Sequence, residues 1–262
     1  MVTRQRMVVW DFDGTLGHRR HGTWAECLLE ILDHQQPGRP FTRDQLYTAL
    51  TSGFPWHDHL RPHPHLADPD RWWNHITGVI TRALTGLGAP LRTAQSIAGQ
   101  ARSTYSDPAA WSLYPQTTAV LRLLTANGWG HVILSNHVPE LPSILDALRL
   151  TPYVQAVVNS ACTGFEKPHP QAFELARAAA APAPCVYMIG DNPQADVAGA
   201  RAAGLHAIWV RRDEPGHIPD LDEAARLILH PAHESNSRPT IPRTWEVAPL
   251  NAGTAARATR IG

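Results

Sequence analysis

The chain has 262 residues and a mass of 28.8 kDa, enough for one large domain or for a core domain that carries an insert. Apolar residues make up 43% and charged residues 18%, which excludes wholesale disorder. Basic and acidic residues number 23 each, so no global field attracts nucleic acid or an anionic membrane. The sequence shows no apolar run near the roughly 18 residues of a membrane span, no secretory apolar region, and three cysteines too far apart to suggest a disulfide framework or a metal site. We expect a reduced, cytoplasmic protein with no nucleic-acid or membrane partner.

The first half of the chain predicts one strand followed by helices. The strand runs from Met7 to Phe12, and helical periodicity then recurs near 22–35, 42–52, 70–87 and 91–105 without a convincing strand. An insert of about 90 residues is too long for a loop. We therefore interpret 17–110 as an all-helical cap domain inserted into a core that comprises 1–16 and 111–230.

The second half alternates short apolar runs with helical patterns. Strands are predicted at His131 to Leu134, Ala156 to Asn159, Val186 to Ile189 and His206 to Val210, with helices near 116–127, 139–148, 170–181 and 193–203. A last helix is expected around Leu221 to Leu229, and 231–262 reads as a flexible tail. This pattern predicts an α/β fold, a Rossmann-like doubly wound parallel sheet with helices on both faces.

Three predicted strands end in polar residues. Val8 and Val9 lead into Asp11 and Asp13, Ile133 and Leu134 lead into Ser135, and the strand ending at Ile189 leads into Gly190-Asp191. Ligands of open parallel sheets bind beyond the carboxyl ends of the strands. The three ends together therefore predict one polar site.

Lysine usage singles out one further residue. Of the 23 basic residues, 22 are Arg and only Lys167 is Lys. A lysine in a chain that otherwise uses arginine indicates a place where a compact, rotatable ammonium is needed, or else a chance survivor on the surface.

These residues carry a family resemblance. Asp11-Phe12-Asp13-Gly14-Thr15-Leu16, Ser135, Lys167-Pro168, and Gly190-Asp191-Asn192 with Asp196 resemble the four ordered motifs of the haloacid dehalogenase-like (HAD) hydrolase superfamily. The resemblance covers about 5–16 and 111–211, and the insert is positioned like the family's helical cap.

The resemblance implies a role for each motif residue. Asp11 is the nucleophile that forms an aspartyl-phosphate, and Asp13 protonates the leaving group and then deprotonates water. Asp11, Asp191 and the backbone carbonyl of Asp13 are implied ligands of Mg²⁺, whose charge would relieve the repulsion between the carboxylates. The phosphate-binding residues are Thr15, Ser135, Asn136 and Lys167, and Asp196 orients Lys167 or the metal waters.

The predicted cap contains three features with open alternatives. The four histidines His57, His59, His63 and His65 could form a zinc site, a substrate-facing loop or a Pro-stiffened connection. Trp72-Trp73 could be cap core or face the substrate. The residues His18, Arg19, Arg20 and His21 could meet an anionic substrate or solvate the hinge.

The resemblance favours a phosphatase acting on a small phosphorylated metabolite. Dehalogenases lack the second carboxylate, so Asp13 argues against them, and the absence of lysine from 17–110 excludes a phosphonatase. A phosphomutase of the β-phosphoglucomutase type would have a hinge histidine where this chain has Thr23, although His18 or His21 could substitute. A phosphate-binding relative without catalysis is the third reading.

Overall fold

The computed structural model describes residues 6–35, 41–210 and 220–231. Its main sheet has five parallel strands in the order β5-β4-β1-β6-β7, which places the first strand at the centre. The strands are β1 (Arg6–Trp10), β4 (Trp129–Ser135), β5 (Val154–Asn159), β6 (Cys185–Gly190) and β7 (His206–Trp209), and two short strands outside this sheet are β2 (Gly17–Arg19) and β3 (Trp111–Leu113). The five main strands begin within two residues of their predicted starts.

Side chains alternate along β1 between two hydrophobic layers. Met7 and Val9 contribute to a layer that contains Phe173, while Val8 and Trp10 contribute to a layer that contains Leu121. The helices of the second half are α5 (Thr117–Ala126), α6 (Leu141–Ala147), α7 (Ser160–Thr163), α8 (Pro170–Ala180), α9 (Gly199–Ala202) and α10 (Leu221–Leu229). The parallel sheet with flanking helices confirms the predicted α/β class.

Helices predominate between the first two motifs. They are α1 (Trp24–Gln35), α2 (Arg43–Ala49), α3 (Pro69–Gly86) and α4 (Leu91–Tyr105). Trp72 and Trp73 of α3 are 1% and 4% exposed, and the indole N–H of Trp73 donates to the carboxylate of Glu140 at 3.0–3.1 Å. These two tryptophans therefore belong to the interior rather than to a substrate-facing surface.

The expectation of an insert without strands is wrong at its first residues. β2 pairs antiparallel with β3, so that Arg19 lies opposite Trp111. A polar run of three residues, Gly-His-Arg, carries no detectable period-2 pattern. β2 forms because β3, which follows the helical segment in the chain, pairs with it. The strand therefore depends on a contact between residues distant in sequence.

The predicted helix at 193–203 is present, but its first six residues form a π-helix instead of an α-helix. Pro193–Ala198 forms a π-helix that continues into α9, with Pro193 in the first turn and Gly204 at φ +75° just past the end. The predicted helix at Leu221 to Leu229 matches α10. Beyond Pro231, the tail interpretation falls outside the described residues. Within the described part, no helix combines the length and apolarity that a bilayer crossing needs.

Candidate active site

Asp11 lies immediately after β1 with its carboxylate buried at the carboxyl edge of the sheet. Its backbone N–H donates to Ile189 at 2.9 Å, which joins it to β6, and the residue is 5% exposed. Ser135, at the end of β4, donates its hydroxyl to Asp11 Oδ1 at 2.9 Å, and Lys167 Nζ donates to the same oxygen at 2.7 Å. Three distant stretches of sequence thus meet at one carboxylate.

The chain turns sharply after the first motif because of Gly14. Its φ is +87°, a left-handed conformation that L side chains rarely adopt. A Cβ at this position would lie 2.4 Å from Asp191 Oδ2, so the missing side chain also lets Asp191 approach. Thr15 follows in the turn, fully buried, and its hydroxyl donates to Asp11 Oδ2 at 3.4 Å.

Lys167 is a buried ammonium between two carboxylates. Its Nζ donates to Asp196 Oδ1 at 2.6 Å as well as to Asp11, and the residue is 4% exposed. Burial opposes the positive charge, but Asp11 and Asp196 outweigh it and raise the pKa of Lys167 above its usual value. The surface interpretation of this single lysine is therefore wrong.

Asn136 lies beside Lys167 and contacts the backbone of that residue. Its side-chain oxygen accepts from the Lys167 N–H at 2.7 Å, and its amide donates to the Lys167 carbonyl at 3.0 Å. Both ends of the amide are thus engaged with the backbone of the lysine. These contacts hold Lys167 in position, and because Asn136 also lines the cavity that contains Asp11, its phosphate binding stays a prediction.

The carboxylates repel one another in this setting. Burial, then Asp11, then Asp191 raise the pKa of Asp13 to about 7, and burial with Asp11 and Asp196 raises the pKa of Asp191 to about 7. Oxygens of Asp11, Asp191 and Asp196 lie within 4.8 Å of one another. Such a set of hard oxygen donors with excess negative charge suits a divalent cation.

Both carboxylate oxygens of Asp196 accept hydrogen bonds. Oδ1 accepts from Lys167, and Oδ2 accepts from the backbone N–H of Asn192 at 2.9 Å. A Cβ on Gly190 would lie 2.1 Å from Asp196 Oδ2, so glycine is required for this approach. Asp196 therefore serves the site by holding Lys167.

The acids and the lysine face a cavity of about 930 Å³, which we call the main cavity. Asp11, Asp13, Ser135, Lys167 and Asp191 line one side of it, whereas Thr15 does not line it. The helical segment contributes Thr23, Trp24, Tyr47, Trp56, His59 and Tyr105 to the lining, and the core adds further residues, among them Asn136 and His137. A separate cavity of about 680 Å³ between α2 and α3 contains none of these carboxylates, so the chemistry belongs to the main cavity.

The four histidines of the cap segment do not gather into a metal site. Among residues 6–35, 41–210 and 220–231, the one group of three potential ligands is the aspartate group. His57 and His65 are exposed, while His59 lines the main cavity. The segment contains the short 3-10 turns Pro55–Asp58 and Pro64–Leu66, which fits a Pro-stiffened connection that also faces the cavity at His59.

His63 connects the helical segment to the loop that carries Lys167. Its backbone N–H donates to the Gly164 carbonyl at 2.7 Å, and its Nδ1 lies 3.0 Å from Glu166 Oε2. His63 is 9% exposed and Glu166 is 1% exposed. Burial raises the pKa of the Glu166 carboxyl above its usual value, although the nearby His63 opposes the shift.

The basic residues after the first motif lie in β2 or directly follow it, where the helical segment begins. Arg19 pairs with Glu30 at 2.6 Å, and Arg20 Nε donates to Ser112 Oγ at 2.7 Å. His18 packs against Tyr114 with ring centroids 4.8 Å apart. In the described part of the chain, neither arginine lines the main cavity, nor do His18 and His21. The exposed Arg20 and His21 thus agree with a solvated hinge, whereas the buried Arg19 agrees with neither alternative, because it is ion-paired with Glu30.

Sequence reasoning missed His137 and the aromatic residues of the main cavity. His137 is 3% exposed, and neither ring nitrogen has a hydrogen-bond partner among the described residues. Its ring lies 4.8 Å from that of Trp111 and 5.6 Å from that of Phe12. Its position two residues after Ser135 could have indicated a place in the site, because residues that follow a strand end lie close to the site residue at that end.

Fold, site and comparisons with known proteins together define the class, a hydrolase. A model of the haloacid dehalogenase-like hydrolases matches residues 5–204, and the chain belongs to this family. It is 30% identical over 220 residues to haloacid dehalogenase-like hydrolase domain-containing protein 3 of Bos taurus, spanning 80% of this chain and 83% of that protein. It is also 30% identical over 206 residues to a phosphoglycolate phosphatase of Cereibacter sphaeroides, spanning 76% and 81%.

Solved structures share the fold at lower identity. The HAD-hydrolase YfnB of Bacillus subtilis, bound to magnesium, is 18% identical with a TM-score of 0.65 over 86% of this chain and 99% of that one. The L-2-haloacid dehalogenase of Xanthobacter autotrophicus is 21% identical with a TM-score of 0.59, over 86% and 98%. Because both phosphatases by name and dehalogenases are similar to this chain, the reaction must be argued from the site.

Proposed function

We propose that the protein is a Mg²⁺-dependent phosphatase that hydrolyses a small phosphorylated metabolite through an aspartyl-phosphate on Asp11. The observation that carries the proposal is the pairing of two different carboxyl groups. Asp11 is held by Ser135 and Lys167, whereas Asp13 has a pKa raised to about 7. Two carboxyl groups with different environments suit nucleophilic and acid–base roles.

The first half of the proposed reaction transfers the phosphoryl group to Asp11. A carboxylate oxygen of Asp11 attacks phosphorus, and the bond from phosphorus to the alcohol oxygen breaks. Asp13 donates its proton to that oxygen, so the alcohol leaves neutral. Lys167 and Ser135 donate to the transferring group, because phosphoryl transfer depends mainly on positioning and charge neutralisation.

The second half returns the enzyme to its starting state. Asp13, now ionised, takes a proton from a water molecule while the water oxygen attacks phosphorus. The bond between phosphorus and the Asp11 oxygen breaks, which releases inorganic phosphate and restores the carboxylate. The same residue thus acts as acid and then as base, for which a pKa near neutrality is favourable.

A magnesium ion fits the oxygen donors of this site. Asp11, Asp191 and the backbone carbonyl of Asp13 would hold it, and Asp196 is engaged with Lys167 and Asn192. When bound, the ion neutralises charge on the phosphoryl group and between the carboxylates. The similar Bacillus subtilis protein, whose structure contains magnesium, supports this assignment.

The alternatives are less consistent with the residues around the main cavity. The dehalogenase reaction does not use a second carboxylate such as Asp13, so the structural likeness to dehalogenases supports the fold only. A phosphomutase would need a hinge histidine, and Thr23 lines the main cavity where His18 and His21 do not. A non-catalytic relative would have no need of both Asp11 and Asp13.

The direct test is a panel of phosphorylated metabolites assayed for phosphate release with and without Mg²⁺. The panel contains sugar phosphates, nucleotides, phosphoglycolate and phosphoamino acids. Release that depends on both Mg²⁺ and Asp11 supports the proposal. No release from any member, combined with measurable phosphate binding, would favour the non-catalytic alternative.

We also infer that the enzyme works in the cytoplasm. Cys27, Cys162 and Cys185 are all free thiols in the structure. Unpaired cysteines are typical of a reducing compartment.

A further inference from the structure

Part of the wall of the main cavity is aromatic. Its Trp and Tyr residues are Trp24, Tyr47, Trp56 and Tyr105. Trp24 stacks on Tyr105 with ring centroids 4.0 Å apart and planes 12° apart, so this part of the wall is held in place. Rings fixed by one another are well prepared to receive a further flat group.

A smaller cavity of about 240 Å³, which we call the side cavity, continues from this wall. It shares Thr23, Trp24, Tyr47 and Trp56 with the main cavity and adds Leu50 and Phe54. Phe54 stacks on Trp56 at 4.6 Å and 19°. An apolar cavity of about 150 Å³ is known to hold benzene, so the side cavity has room for a one- or two-ring group.

Basic side chains are scarce among the described residues that line the two cavities. Among the described residues that line them, Lys167 is the one Lys or Arg, and it is bonded to Asp11 and Asp196. Arg43 lies over the Tyr47 ring at 5.7 Å but is paired with Glu26 and lines neither cavity. A second anionic group on the substrate would therefore meet the aspartates without a free Lys or Arg to pair with; the basic groups left among the described lining residues are the imidazoles of His57, His59 and His137.

We propose that the side cavity binds an uncharged aromatic ring in the organic part of a phosphate monoester whose phosphoryl group lies at Asp11. This inference rests on the proposed phosphatase function. Stacking on Trp56 and Tyr47 supplies the recognition, and the aspartates disfavour substrates with a carboxylate.

The test compares phosphate esters of primary alcohols that differ in the attached group: benzyl, cyclohexylmethyl and ethyl phosphate, and 2-phosphoglycolate. We expect kcat/KM for benzyl phosphate to exceed that for cyclohexylmethyl phosphate by about tenfold. This ratio corresponds to the free energy that one aromatic pair contributes in a buried site. Phosphoglycolate should be the poorest of the four. Equal values for benzyl and cyclohexylmethyl phosphate, or a preference for phosphoglycolate, would overturn the proposal.

Substitutions of Tyr47 and Trp56 test whether the preference for benzyl phosphate arises at the aromatic wall. Tyr47 is 59% exposed, so Tyr47→Ala is compatible with folding, and Trp56→Leu retains an apolar side chain without the ring. Each should raise KM for benzyl phosphate about tenfold, a larger increase than for ethyl phosphate, which has no ring to stack. Leu91→Ala, at a residue 57% exposed and outside both cavities, is the matched control and should have no effect. Unchanged KM in both wall variants would contradict the proposal.

A binding measurement separates this proposal from the phosphatase function. Benzylphosphonate and phosphonoacetate are titrated against the full chain by calorimetry, since neither is hydrolysed. Tighter binding of benzylphosphonate, reduced in Tyr47→Ala, supports the aromatic side cavity even if no ester is cleaved. Tighter binding of phosphonoacetate overturns it even if phosphatase activity is found.

Discussion

Lys167 Nζ lies 2.7 Å from Asp11 Oδ1, and this bond joins a loop residue to the end of the central strand across 156 positions of sequence. The ammonium also contacts Asp196, so its position is fixed on two sides. The planar, longer guanidinium of arginine does not fit between the same two oxygens.

We expect Lys167→Arg to be damaging although it keeps the charge. Displacement of the phosphoryl group from Asp11 can lower the rate by about 100-fold. Steady-state kcat and KM with one good substrate check this, with Lys167→Met as the neutral comparison. If Lys167→Arg retains more than about half of the wild-type kcat/KM, a loss under about 0.4 kcal/mol, the requirement for a compact ammonium is refuted.

Asp11→Asn should abolish turnover while leaving the fold intact. The amide retains the volume of the carboxylate but is not a nucleophile toward phosphorus and is a poorer metal ligand. Phosphate release and the melting temperature are measured together. Activity near the wild-type level would exclude the covalent mechanism, and Thr15, whose hydroxyl contacts Asp11 without lining the main cavity, supplies Thr15→Ser as a mild control.

Mg²⁺ removal should eliminate activity and lower thermal stability. A ligand at about 100 times its Kd stabilises the folded state by about 2.7 kcal/mol, so added Mg²⁺ should raise the melting temperature. Asp191→Asn should reduce that increase because it removes one carboxylate from the cluster. Full activity in chelator after dialysis, or an equal Mg²⁺ shift in the variant, would contradict the metal assignment.

Glu30→Gln should destabilise the protein by about 2 kcal/mol. The Arg19 side chain is fully buried while Glu30 is 31% exposed, so loss of the carboxylate leaves a buried guanidinium without its counter-charge. The matched control is Asp70→Asn, in an exposed pair with Arg102, where a loss of about 0.5 kcal/mol or less is expected. Denaturant unfolding measures both, and equal losses would disprove the role of burial.

His137 should make the protein sensitive to acid. Burial lowers its pKa from 6.5 to about 4, so between these values the unfolded chain binds a proton that the folded chain does not. Stability therefore falls as pH decreases through this window, by up to about 3 kcal/mol. Unfolding free energies of His137→Leu should show a flatter dependence, whereas His34→Leu, at an exposed histidine, should follow the wild type. Parallel curves for all three proteins would refute this explanation.

Local patterns were sufficient to predict the main sheet and the meeting of its polar strand ends. The apolar run before Asp11 and the single lysine could be recognised from the local sequence alone. In contrast, β2 forms only because Trp111 returns to pair with Arg19, and the role of Asn136 depends on the backbone of Lys167, 31 residues away. The aromatic wall likewise combines Trp24 and Tyr105 from the two ends of the helical segment. Such contacts are set by tertiary packing, which local periodicity does not encode.

The hydrogen bonds of His63 give the helical segment a second connection to the core, in addition to the pairing of β2 with β3. A swing of this segment away from the 164–167 loop would break its bonds to Gly164 and Glu166. Glu166 is the chain neighbour of Lys167, so the same swing pulls on the peptide that carries the ammonium. The position of the helical segment and the position of the Lys167 ammonium are thus connected through a single peptide bond, the one between Glu166 and Lys167.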